Sequence, residues 1–287
     1  MKILFLTKGD HVDYQNDCLL IGLREMLGAD VIDYNKQLHN YTNYDPAAAL
    51  KLYGKGMTVT RVLPDIEIDR TDITSKIKNR YFDYIVYGHI WRFNGYLNEI
   101  LSIYPKNRVI AVDGEDETVI HNSYGKLLYF KREIVGGAHP GLFPISFAMP
   151  TTKINFNNLK TQDMAYITPE DRSTYIYNNE KDYYADYGRS RFGTTFKKAG
   201  WDCMRHYEIL GNGCIPYFPD IERCPPETMT WFPKRLCASI IEQIKDKKPM
   251  DKIYDEYAEL FRNYTINQLT TIKLAQKFIE TVTAASK

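Results

Sequence analysis

Three acids, Asp113, Glu115 and Asp116, follow the apolar run of RVIAVDGEDE, where a buried parallel strand would end. Open α/β sheets place their ligand crevice at the carboxyl ends of such strands. A carboxylate there can take the proton of an attacking hydroxyl as a general base, provided burial raises its pKa toward the working pH. The competing reading is a solvated turn with a helix cap. His89 ends a second run, DYIVYGHI, beside the same crevice. It is the other candidate base or an acceptor-binding group, although an isolated His also serves as a hydrogen-bonded structural residue. Lys8, Gly9 and Asp10 form a turn after the first apolar run, and Gly9 allows close backbone approach to a ligand. Gly9 and Asp116 are therefore counted as further cleft residues. The series G-x-G-x-x-G is absent from that turn, which argues against a dinucleotide-dependent dehydrogenase.

The densest local pattern is SRFGTTFKKAGWDCMRHYEILGNGCIPYFPD. Met204, Tyr207 and Leu210 recur at helical spacing, Gly211, Asn212 and Gly213 stop the helix, and CIPYF follows as a short strand. The segment resembles the donor-binding element of GT-B glycosyltransferases, particularly the exostosin-like and CgeB-like families, where an acid opens a helix that ends in a small-residue turn before a G-x-P strand. The matching residues are Glu208, Gly213 and Pro216, preceded by Arg205 and by Lys197 and Lys198, over about 30 residues. The resemblance implies that Glu208 accepts hydrogen bonds from the ribose hydroxyls of a nucleotide-sugar, that Arg205, Lys198 and Lys197 meet its diphosphate, and that Tyr207 belongs to the same donor site. An ionised carboxylate accepts two hydroxyl donors at once, and cations near a helix N-terminus suit a leaving diphosphate. Because those cations take the place of a divalent ion in GT-B enzymes, the resemblance implies neither an obligatory metal nor a cofactor. DGED looks faintly like the Asp-x-Asp metal motif of the other glycosyltransferase fold, GT-A. Retaining GT-B enzymes often carry an earlier Glu eight positions before the one matched by Glu208, and this chain has Gly200 there, so the paired-Glu motif is absent.

The surrounding elements read as alternating strands and helices. Residues 3–7 and 31–34 are apolar runs separated by a helical pattern through Cys18, Leu19, Leu20, Leu23 and Leu27, which opens a parallel, right-handed βαβ unit. Helical stretches at 71–80 and 96–104 flank the His89 strand and lead to the DGED strand. Residues 1–150 therefore read as an N-terminal Rossmann-like acceptor domain, and residues 151–264 as a C-terminal Rossmann-like domain that holds the nucleotide-sugar. The joint is the Pro-rich passage HPGLFPISFAMPTTK. Residues 35–64 read as a long surface excursion, and Lys131 and Arg132 as the solvated face of a helix-like stretch. Helical segments at 251–263 and 265–284 close the chain, the last with a stripe of Ile266, Leu269, Ile272, Ala275, Ile279 and Val282. By the same resemblance this helix, 265–287, crosses back onto the first domain.

Composition narrows the partners. With 37 Lys+Arg against 36 Asp+Glu over 287 residues, the net charge of +1 supplies no global field for nucleic acid or anionic membrane. Five Cys with no CxxC spacing suggest reduced thiols in a cytoplasm, with Cys203 and Cys214 as packing residues. No apolar stretch approaches a membrane span or a signal peptide. Trp91 and Trp201 read as core residues. The expectation is an α/β protein of GT-B type, two Rossmann-like domains with parallel sheets facing across a cleft. It transfers sugar from a nucleotide-sugar donor to a carbohydrate or other hydroxyl acceptor, with modified DNA left open as a variant. The alternatives are a sugar-nucleotide epimerase or phosphorylase, and a non-catalytic carbohydrate- or nucleotide-binding module.

Overall fold

Runs of apolar residues that end in glycine or an acid become parallel strands buried on both faces, as near-continuous hydrophobic runs must. In the computed structural model, which describes residues 1–9, 11–137 and 139–287, the first unit is built from β1 (Ile3–Leu6), α1 (Tyr14–Leu27), β2 (Val31–Tyr34), α2 (Pro46–Ala49), α3 (Ile73–Lys78), β3 (Tyr84–Tyr87), α4 (Leu97–Ile103), β4 (Val109–Asp113), β5 (Leu128–Lys131) and β6 (Leu142–Pro144). The second unit contains β7 (Gln162–Met164), α5 (Glu180–Arg189), β8 (Ser190–Thr194), α6 (Met204–Gly211), β9 (Ile215–Tyr217), α7 (Lys234–Lys245) and α8 (Met250–Gln268), and α9 (Thr271–Ala285) ends the chain. The strands pair in parallel in the orders β2-β1-β3-β4-β5-β6 and β7-β8-β9. Helices cover both faces of the larger sheet, with α3 and α4 over one core and α1 and α9 over the other. The turn after β5 meets the segment before α6, which brings the carboxyl end of the larger sheet against the second unit. Among the described residues, no helix is long and apolar enough to cross a membrane.

Several expectations change. Lys131 and Arg132 belong to β5 and the turn after it and are buried, because the segment pairs with β4 from Leu128 to Lys131. The Pro-rich joint contains β6, and Pro144 is tolerated there because the strand lies at the sheet edge. The excursion at 35–64 is only partly a surface feature, since Tyr41, Thr58, Val59 and Leu63 are buried. Trp201 is buried as expected, whereas Trp91 is 43% exposed.

The last helix lies against α1. A methyl group added at Gly22 would sit 2.6 Å from the Thr271 carbonyl carbon and 3.0 Å from the Ala275 Cβ, so only glycine permits this approach. The Met149 N–H donates to Leu269 O at 2.8 Å, and the Thr271 N–H returns to Met149 O at 3.0 Å, which pins the start of α9 to the joint between the units. Its buried stripe is Thr271, Leu274, Ala275, Phe278 and Val282, rotated from the expected one because α8 runs through Gln268 and a break at 269–270 resets the helical phase. Phe278 stacks 4.8 Å from Phe130 in β5, while Ile266 is 48% exposed. Phe278→Ala is expected to cost about 3–5 kcal/mol in denaturant unfolding, and Ile266→Ala at most about 0.5 kcal/mol beyond its helix-propensity change.

Candidate functional site

On the first unit, Asp13 caps α1, its carboxylate accepting from the backbone N–H groups of Gln15 at 3.1 Å and Asn16 at 3.0 Å. Capping leaves its other oxygen facing the carboxyl end of β3, where His89 Nε2 lies 3.3 Å from Asp13 Oδ2 and 3.3 Å from Glu115 Oε1. The Arg92 guanidinium closes the group, with Nε 3.0 Å from Asp13 and a terminal nitrogen 3.6 Å from Glu115. His89 is buried with neither ring nitrogen in a well-aligned hydrogen bond, whereas the Glu115 side chain is 32% exposed. Of the cluster's two acids, Glu115 is the one that can meet an incoming hydroxyl. Gly114 holds the cluster tight, since a Cβ there would press on the Gln15 side chain at 2.8 Å. Asp13 and Arg92 escaped the sequence reading; an Asp immediately before the helix of a βα unit was the available signal for Asp13.

Across the cleft, Arg205 sits in the first turn of α6, a helix whose Cys203 N-cap supplies no side-chain bond. Its guanidinium is buried, with Nε and Nη1 unpartnered and Nη2 donating to the Tyr175 hydroxyl at 3.0 Å. Lys198 Nζ converges on the same oxygen at 3.2 Å. Burial alone would raise the Tyr175 phenol, but Arg205 and Lys198 outweigh it and draw it below its ordinary pKa. Two cations with spare donors at a helix N-terminus form an anion seat. Glu208 lies one turn further along α6, not at the helix start, and is buried. Its carboxylate accepts from Tyr183 Oη at 2.6 Å and from Thr58 Oγ1 of the excursion. Burial pushes its carboxyl up, and those two hydrogen bonds act against the shift.

The two halves meet at Arg132. Its guanidinium donates to Gly114 O at 3.1 and 2.9 Å, to Glu133 at 3.0 Å, to Asp202 O at 2.5 Å and to Asp116. Glu133 also accepts from the Asp202 N–H at 2.8 Å. A Cβ at Gly200 would lie 2.6 Å from Glu133 Oε1 and 2.9 Å from Asp116 Oδ1. Acids of the first unit thus occupy the space that a side chain at position 200 would need, so the earlier Glu of the paired motif has no room here.

Other expected site residues lie elsewhere. Asp113 is fully buried, accepting from Tyr129 Oη at 2.5 Å and lying 3.1 Å from Lys131 Nζ, so it braces the sheet and does not face the cleft. Tyr207 is buried and donates to Asp202 Oδ1 at 2.8 Å, away from the anion seat. Lys197 Nζ turns back onto the carbonyls of Lys198 and Ala199 at 3.1 Å each. Gly213, at φ +63°, makes the turn from α6 into β9. Gly9, at φ +87°, is required by Asn35, whose Cβ would be 2.7 Å from a side chain there. Asp116 stays at the cleft, bound to Arg132. Asp10 lies outside the described residues. Among the described residues, no group of three or more His, Cys, Asp or Glu is arranged to hold a metal ion.

Two buried groups beside the seat titrate in opposite senses. Desolvation drives His206 down to about 3, its ring bonded to Thr195 Oγ1 and Trp201 O at 2.8 Å each. Desolvation raises Asp202 to about 6 against the pull of Arg132. Below pH about 6.5 the unfolded chain protonates His206 and the folded one does not, so its contribution is lost as pH falls toward 3. The contribution of Asp202 is present at pH 4 and lost as pH rises through 6. Between pH 6 and 4 the two oppose each other. Relative to wild type, His206→Gln should therefore gain stability as pH falls across that window and Asp202→Asn should lose it, as read from denaturant midpoints at each pH.

No family model matches the chain, and no curated protein matches it. Among solved structures the chain is similar to an alpha-glucosyltransferase in complex with UDP-glucose and DNA containing an abasic site, at 12% identity over 98% of each chain with a TM-score of 0.47. It is likewise similar to an alpha-glucosyltransferase in complex with UDP and a 13-mer DNA containing a HMU base, at 11% identity over 99% of each chain with a TM-score of 0.46. An alpha-glucosyltransferase in complex with UDP and a 13-mer DNA containing a central A:G mismatch matches at 12% identity over 98% of each chain, again with a TM-score of 0.46.

Proposed function

We propose that this chain is a GT-B glycosyltransferase that moves a sugar from a nucleoside-diphosphate donor to an acceptor hydroxyl. The observation that carries this reading is the anion seat: buried Arg205 with two spare N–H groups, joined by Lys198 at the first turn of α6. As the glycosidic bond of the donor breaks, negative charge builds on the departing diphosphate, and preorganised cations stabilise it without reorganising at that moment. In this reading Arg205 and Lys198 hold the diphosphate and make a divalent ion dispensable. Glu208 is proposed for the ribose hydroxyls and Glu115 for the acceptor proton, with His89, Asp13 and Arg92 orienting Glu115.

The acceptor is proposed to be a carbohydrate or another hydroxyl-bearing molecule bound on the first unit, and duplex DNA with modified bases is the nucleic-acid arm to be assayed. The five free cysteines support a cytoplasmic setting. The exostosin-like and CgeB-like likeness is confined to the segment around Glu208, so the assignment proposed is GT-B glycosyltransferase and no narrower family.

Titration with UDP, GDP and ADP tests the donor seat. Arg205→Ala is expected to weaken the nucleotide that wild type binds by about 10- to 100-fold, the worth of a charged hydrogen-bond pair; equal affinity in both forms would sink the assignment. Glu115→Gln should retain that binding while turnover drops about 100- to 10,000-fold. Turnover should persist in chelator, and a loss restored by magnesium or manganese would refute metal independence.

A further inference from the structure

The groups assigned to the donor are already engaged, and by protein hydroxyls. Thr58 Oγ1 and Tyr183 Oη take the two oxygens of Glu208, where ribose hydroxyls would bind, and Tyr175 Oη takes Arg205 and Lys198, where a phosphate oxygen would bind. Thr58 comes from the first unit, on the excursion, 150 positions before Glu208. We propose that residues 53–59 form a self-inhibitory strap, in which Thr58 and, through a linked loop, Tyr175 mimic donor oxygens and must be displaced for a nucleotide-sugar to enter. This rests on the donor reading above.

The fastening is specific. The Thr58 N–H donates to Glu180 Oε1 at 2.6 Å, Thr58 Oγ1 pairs with Tyr184 Oη at 2.7 Å, and Lys55 Nζ donates to Tyr177 O at 3.0 Å and to the Asn178 side chain. Lys55 therefore grips the chain two and three residues after Tyr175, so raising the strap pulls on the loop that carries the second mimic. The backbone is built to let go. Gly54 and Gly56 have φ of +64° and +65°, and Thr58, a β-branched residue, is held at +69°. A β-branched side chain in the left-handed region is strained, and it persists only while its surroundings enforce it. Lifting the strap relieves that strain and frees Oε1 of Glu208 together with two cations, while Tyr183 keeps the other carboxylate oxygen.

The test exploits sign. A residue that helps to hold the donor weakens binding when it is removed, whereas a mimic strengthens it. Thr58→Val and Tyr175→Phe, each removing one hydroxyl, are expected to tighten UDP binding by about three- to tenfold, the worth of one competing hydrogen bond, with GDP and ADP titrated in parallel. Lys55→Ala, at an exposed site outside both the core and the seat, should tighten binding in the same direction even if a buried variant fails to fold. Hydrogen exchange at residues 53–59 should accelerate when UDP is added to wild type. Binding that Arg205→Ala abolishes but that Thr58→Val, Tyr175→Phe and Lys55→Ala leave unchanged or weaken overturns the strap and leaves the donor seat standing. Unchanged or slowed exchange on binding overturns it equally. Absence of binding in every form, strap variants included, overturns both readings.

Discussion

A guanidinium buried between the two sheets is the constraint on which the cleft depends. Arg132 satisfies carbonyls and carboxylates from the β4 turn, the β5 turn and the segment before α6, and its face covers the Phe147 ring at 4.6 Å. Burial works against its charge, but Asp202, Glu133 and Asp116 outweigh that cost and keep it protonated. A buried pair of this kind adds little net stability over an apolar replacement, yet removing one partner costs about 3–5 kcal/mol because the others are stranded. Its consequence here is geometric. It fixes Gly200 and Asp202, which lie between Lys198 and Arg205 in sequence, against the acids of the first unit.

That placement separates paired from unpaired charge. The acids at the carboxyl ends of β3 and β4 are ion-paired with Arg92, Lys131 and Arg132, whereas Arg205 at the first turn of α6 keeps unpaired donors, a difference that a net charge of +1 conceals. The crossing of α9 onto α1 works with Arg132 as a second tie, since the joint at Met149 and the glycine contact at Gly22 leave the two units little freedom to slide. In the proposed reading, motion is left to the strap over Glu208, whose Gly54, Gly56 and Thr58 all sit at positive φ.

Much of the fold was legible because its signals are local. Apolar runs ending at Gly88, Asp113 and Thr7 mark strands whatever they pair with, and the Gly211 to Gly213 turn marks the passage from α6 to β9 without reference to the rest of the chain. Where the reading slipped, long-range packing overrode a local pattern: LLYFK looked helical until pairing with β4 made it a strand, and the α9 stripe rotated because the helix break depends on the joint at Met149. The site divided the same way. His89, Glu115, Lys198, Arg205 and Glu208 are candidates read from strand ends and the α6 pattern, whereas Arg92, Tyr175 and Thr58, which the structure adds to their surroundings, carry no motif.

The sequence by itself determined most of the element types, the parallel α/β class and the residue types able to bind an anion or move a proton, since propensity, periodicity and turn chemistry act within a few residues. Only the tertiary structure decided which of those residues face the cleft. Asp113 and Tyr207 are spent on internal hydrogen bonds, Gly200 is pressed by acids from the other half, and Glu208 is covered by a threonine from an excursion. Each of these outcomes depends on contacts between segments distant in sequence, and such contacts exist only once the chain has folded.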